Sequence, residues 1–129
     1  MNTQATILVV DDEWLNRELI EGLLSVYDYR VLLANGGDAA LKLLTREIPN
    51  LIVMDVRMPD MDGYTLCQQV KSNPQTAHIP VIMITALELD DTEKQKIADA
   101  GADDVVSRMA LTKELIEKIS TQLTYKIAS

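Results

Sequence analysis

Leu51-Ile52-Val53-Met54-Asp55-Val56-Arg57-Met58-Pro59-Asp60-Met61-Asp62-Gly63 is the stretch on which the fold turns. Four consecutive apolar residues read as a short strand buried on both faces, and a carboxylate ends it abruptly. Met58-Pro59 and Asp62-Gly63 supply turn chemistry whatever the function. Tyr64, Leu66, Cys67 and Val70 then recur at helical spacing until Asn73-Pro74 stops them.

The same unit repeats outward in both directions. Ile7-Leu8-Val9-Val10 ends in Asp11-Asp12, and Leu15, Leu19, Ile20, Leu23, Leu24 and Tyr27 turn one face of a helix over 14–27 toward a core. Val31-Leu32-Leu33-Ala34 is followed by Asn35-Gly36-Gly37-Asp38, a turn with a side-chain cap for a helix carrying Ala40, Leu41, Leu44 and Ile48, stopped by Pro49-Asn50. Val81-Ile82-Met83-Ile84 leads to Thr85 and a charged helix over about 89–100 that Gly101 ends in a left-handed cap. Val105-Val106 is the shortest strand, and Leu115, Ile116, Ile119 and Leu123 mark the closing helix. Five buried strands alternating with five helices predict an α/β fold: a parallel sheet, doubly wound and covered on both sides by right-handed crossovers.

Composition narrows the function. The 129 residues are 47% hydrophobic, enough for one core, so a single domain over 1–129 is expected. Twenty acidic against twelve basic residues leave a net charge of -8, which argues against nucleic acid or an anionic membrane as partner. A lone Cys67 closes no intramolecular disulfide and reads as core packing; with only His78, placed on an exposed loop, it makes no zinc set. No signal segment or membrane-length apolar run is visible, so a cytoplasmic protein is expected.

In open parallel sheets the ligand site lies beyond the carboxyl ends of the strands. Asp11, Asp12, Asp55, Thr85, Ser107 and Arg108 occupy those ends. Crowded carboxylates call for a compensating cation, and oxygen-only ligands favour a hard ion such as Mg²⁺ or Mn²⁺. An ionised Asp55 can attack phosphorus, Thr85 can donate to a phosphoryl oxygen, and the fork of Arg108 can hold another. Plainer roles also fit: Asp12 as cap of the first helix, Thr85 as a β-branched strand residue, Arg108 as a surface cation.

With V-V-D-D-E at 9–13, L-I-V-M-D-V-R-M-P-D-M-D-G at 51–63, P-V-I-M-I-T-A at 80–86 and G-A-D-D at 101–104, the chain resembles, along essentially its whole length, the receiver domain of two-component response regulators. The resemblance implies a flavodoxin-like, chemotaxis-regulator-like sheet of order 2-1-3-4-5. It implies that Asp11 and Asp12 form an acidic pocket, that the backbone carbonyl of Arg57 helps ligate Mg²⁺, and that Asp55 accepts a phosphoryl group from the phosphohistidine of a histidine kinase or phosphotransfer protein. Thr85 would sense that group, and an unidentified downstream protein would read the change. Catalysis would be limited to the chain's own phosphorylation and dephosphorylation.

Four positions around the last strand depart from the family. Arg108-Met109 stands where it has Lys-Pro, Val105 where it often has Tyr or Phe, and Ala110 where many members carry Phe. A cis bond before Met costs about 2.5–4 kcal/mol against about 0.5–1 before Pro, so the 108–109 peptide is expected to be trans, with Arg108 held less securely over Asp55. These departures keep open an alternative, a degenerate receiver that binds partners independently of phosphorylation. Trp14 either shields the acidic pocket or packs locally. A flavin site is opposed by Asp11-Asp12-Glu13 where a phosphate loop belongs, and Asp60-Met61-Asp62-Gly63 lacks the remaining ligands of a calcium loop. Either the chain acts through surfaces shown to another protein, or it is a piece of a longer one.

Overall fold

Side chains alternate along each central strand into two separate cores, and this alternation builds the molecule. The computed structural model describes residues 4–86 and 89–128. Its elements run β1 (Thr6–Val10), α1 (Trp14–Val26), β2 (Arg30–Ala34), α2 (Gly37–Leu44), β3 (Leu51–Asp55), α3 (Gly63–Ser72), β4 (Val81–Thr85), α4 (Asp91–Asp99) and β5 (Asp104–Ser107). A 3₁₀ turn at Arg108–Ala110 then leads into α5 (Leu111–Ala128). The sheet is parallel throughout, in the order β2-β1-β3-β4-β5. Leu8, Val10, Ile52, Met54 and Met83 point toward α2, α3 and α4. Ile7, Val9, Leu51, Val53, Ile82 and Ile84 point toward α1 and α5. Burial on both faces explains why these strands carry unbroken apolar runs.

The expected topology is therefore the observed one, with local corrections. α2 ends at Leu44, short of Ile48, because the chain must turn so that Asn50 can clamp β1: Thr6 N donates to Asn50 Oδ1 at 2.7 Å and Asn50 N to Thr6 O at 2.8 Å. Ile48 is left exposed. β5 takes in Asp104 and Ser107 beside its two valines. In α1 only Ile20 and Leu24 are fully buried, while Leu15 and Leu19 face outward. That helix carries two apolar stripes, and only one meets the sheet. Gly101 closes α4 at φ 93°, as its position predicts.

The turn before α2 corrects another expectation. No side chain of the 35–38 turn caps the helix, and its N-cap is Gly36. Asp60 instead reaches over from the loop after β3 and accepts from Gly37 N at 3.3 Å and Asp38 N at 3.1 Å. These amide donors hold the Asp60 carboxyl below its ordinary range, Asp38 contributing most. The loop that follows Asp55 is thus anchored to α2 on its far side.

Candidate functional site

β1 and β3 are neighbours, so the residues that end them meet. Asp11 follows β1 directly, pinned by its own N–H to Ala34 O at 3.2 Å, and is 1% exposed. Its Oδ1 accepts from Glu13 N at 3.0 Å, which sets the bend between strand and helix. The N-cap of α1 is Glu13, without a side-chain bond, so Asp12 does not cap this helix and is free to face the cleft it lines. Asp55 is the last residue of β3 and accepts from Arg57 N at 3.3 Å through Oδ1. One oxygen from each of Asp11, Asp12 and Asp55 lies within 4.8 Å of the others. Burial, then the charge of Asp11, pushes the Asp55 carboxyl up, opposed by the Arg57 amide and the Arg108 guanidinium, while Asp12 adds to the rise.

An open cleft surrounds this triad. Its lining includes Asp12, Asp55, Arg57, Thr85 and Arg108, together with Tyr64, Glu93 and Lys96. Thr85 ends β4 and is buried. Arg108 extends from the 3₁₀ turn, and its Nη2 lies 3.3 Å from Asp11 Oδ2 and 3.3 Å from Asp55 Oδ2. The described peptides, 108–109 included, are all trans, as expected. The expected loosening of Arg108 is not found, because Ser107 Oγ accepts from Met109 N at 3.3 Å and the tight turn brings the guanidinium over the carboxylates. Trp14 is 63% exposed and is not among the cleft residues, so neither role considered for it is observed.

Some contributors are invisible in a linear reading. Arg17 donates through Nη1 to Asp11 O at 2.8 Å and steadies the β1 end; its place one turn into α1 is the only signal for it. Tyr64 donates to Glu93, a carboxylate only 7% exposed, and ties the start of α3 to α4. Burial, with Glu93 adding, pushes the Tyr64 phenol far above its ordinary value. Gly63 lets α3 start against β3, its N–H donating to Val56 O at 2.7 Å. Cys67 packs in the core, and burial raises its thiol to about 11.

The chain matches the response regulator receiver domain over residues 7–120 and belongs to that family. It is 37% identical over 123 residues to the response regulator PleD of Caulobacter vibrioides, a match covering 95% of this chain and 27% of that protein. A putative response regulator from Chloroflexus aurantiacus superposes with a TM-score of 0.89 at 32% identity, over 95% of this chain and 99% of that one. The chemotaxis response regulator CheY4 of Vibrio cholerae gives 0.86 at 27% identity, over 93% and 99%. The chain spans only about a quarter of the length of PleD. Receiver domains of two-component systems partner with histidine kinases or phosphotransfer proteins. Among the described residues no helix is long and apolar enough to cross a membrane.

Proposed function

We propose that this receiver accepts a phosphoryl group on Asp55 from a phosphohistidine and passes the change to another protein through its surface. The observation that carries this reading is the convergence of Asp11, Asp12 and Asp55 within 4.8 Å beside Thr85 and Arg108. Three hard carboxylate oxygens suit a small divalent cation, so Asp11, Asp12 and Asp55, with the Arg57 carbonyl, would hold Mg²⁺ or Mn²⁺. The ion would offset negative charge on the transferring group. A carboxylate oxygen of Asp55 forms the new bond to phosphorus as the P–N bond breaks, and the departing imidazole takes up a proton. Arg57 N, already bonded to Asp55 Oδ1, orients the nucleophile. Thr85 and Arg108 stand where they can bind phosphoryl oxygens. Catalysis on this reading is limited to the chain's own phosphorylation, which consumes the donor phosphohistidine, and its dephosphorylation.

Incubation with Mg²⁺ and an acyl phosphate, followed by intact-mass measurement, tests this. One phosphate on the wild type and none on Asp55→Asn is expected. No adduct under any metal condition would favour the alternative of a phosphorylation-independent interaction module, a reading supported by Arg108-Met109 and Val105 and opposed by the three aspartates with Thr85.

A further inference from the structure

Gly101-Ala102-Asp103-Asp104 takes no part in the cleft, yet it opens the strand that ends there. β5 has four residues, pairs only with β4, and buries one side chain fully, Val106. Burial alone does not fix its register. Side chains alternate, so Val106 lies in the core under α1 and α5 while Val105 packs against the core on the other face. If β5 slipped by one residue, about 3.3 Å, Val105 would reach the level of Ile84 and fill the buried slot with the same side chain. Val106 rather than Ser107 would then stand beside Thr85, and the turn carrying Arg108 would move with it.

Polar contacts at the start of the strand discriminate where the two valines do not. Asp103 N donates to Val81 O at 2.8 Å, and Asp103 Oδ2 accepts from Val81 N at 2.8 Å. From α3, Lys71 Nζ donates to the same Oδ2 at 2.9 Å and to Ile79 O at 2.7 Å. From α5, on the opposite face, Lys118 Nζ donates to Asp104 Oδ1 at 3.2 Å and to Val105 O at 2.8 Å. These side chains are 21–36% exposed, and ion pairs so placed add little stability by themselves. Their effect is on alignment, because a slip parts Asp103 from both Val81 groups and draws Asp104 and Val105 O away from Lys118.

We propose that Asp103 and Asp104, each gripped by a lysine from one face of the sheet, are positioning residues that set the register of β5. They act through the strand, deciding which residue stands beside Thr85 at its other end. The inference rests on the phosphoacceptor reading and adds to it the device that aligns its last strand.

The test compares the wild type, the double variant Asp103→Ala/Asp104→Ala, the same with Val105→Thr added, and Glu47→Gln, which breaks an ion pair on the opposite edge of the sheet. Each is studied where thermal melts show it folded; Asp104→Ala alone replaces the double variant if that does not fold. Nuclear Overhauser contacts report whether Ser107 or Val106 lies beside Thr85, and intact mass follows Asp55 phosphorylation by acetyl phosphate with Mg²⁺. The double variant should exchange Thr85–Ser107 contacts for Thr85–Val106 contacts and be phosphorylated about tenfold more slowly. Val105→Thr should restore both, because the slipped strand would then bury a hydroxyl. Glu47→Gln should keep its contacts and a rate within about twofold of the wild type. Unchanged Thr85–Ser107 contacts in the double variant, or a loss of contacts that Val105→Thr does not restore, overturns the register device. A wild type that never takes up phosphate overturns the reading beneath it, and the Overhauser contacts still decide the register.

Discussion

Replacing Gly63 with alanine should destabilise the protein and disturb Asp55 together, although alanine is the better helix former. A Cβ at Gly63 would fall 2.4 Å from Asp55 O, 2.9 Å from Val56 Cα and 3.2 Å from Asp55 C. All three are backbone atoms and cannot swing aside. Reaching an ordinary carbon–oxygen contact of about 3.3 Å requires the helix or the β3 end to shift by about 0.9 Å. Overpacking of this kind costs about 1–3 kcal/mol, against a propensity gain of at most about 1. The bond from Gly63 N to Val56 O, worth about 1 kcal/mol, is strained in the same movement. The net expectation is a loss of about 1–3 kcal/mol, lowering the melting midpoint by about 3–15 °C. Gly22→Ala is the control: it lies in α1 with nothing within 4 Å of an added Cβ, so it should gain about 0.5–1 kcal/mol. Thermal melts give the stabilities, and Mg²⁺ titration reports the displacement of Asp55. A Gly63→Ala protein that melts at or above the wild type with unchanged Mg²⁺ affinity would refute the close-approach argument.

Asp60→Ala should cost about 0.5–2 kcal/mol by uncapping α2, read by urea denaturation. The Asp60 carboxyl is held low in the fold, so its contribution is present above the ordinary carboxylate value and shrinks as pH falls through the folded value; a penalty unchanged at acid pH would contradict the cap. Tyr64→Phe leaves buried Glu93 without its phenol donor and should cost about 1–3 kcal/mol, with faster amide exchange in α4; an unchanged exchange pattern would mean α4 is held by other contacts. Asp55 carries the opposite sign from Asp60. Its raised pKa favours the fold while it is protonated, and that contribution is lost as pH rises through the folded value. Without metal, Asp55→Asn should therefore match the wild type in acid and melt a few degrees higher at neutral pH; a lower melting point at neutral pH would show that the Arg108 ion pair outweighs desolvation.

Strand ends were readable because an unbroken apolar run such as Leu51 to Met54 is interrupted by a carboxylate or hydroxyl where the strand stops, a local rule that also placed Asp11 and Thr85. The family motifs then supplied the strand order. Periodicity alone could not decide which stripe of α1 meets the sheet, since Leu15 and Leu19 carry the same signal as Ile20 and Leu24. Capping of α2 by Asp60 joins residues far apart in sequence, where adjacent Asn35 and Asp38 made a local cap the natural expectation. The position of Arg108 was misjudged for a related reason. The missing proline correctly implied a trans peptide, but Ser107 tightens the turn and returns the guanidinium to the carboxylates.

The strand order also divides the site between the two halves of the chain. β1, β2 and β3 all come from the first 55 residues, and their pairing alone gathers Asp11, Asp12 and Asp55. Arg108 follows β5, which joins the sheet only through β4. A fragment ending after β3 that paired these strands would crowd three like charges with no Arg108 to offset them. The four-residue edge strand therefore does more than bury Val106, because the turn that follows it brings a guanidinium to those carboxylates. The turn after the last strand answers the charges that the first three bring together.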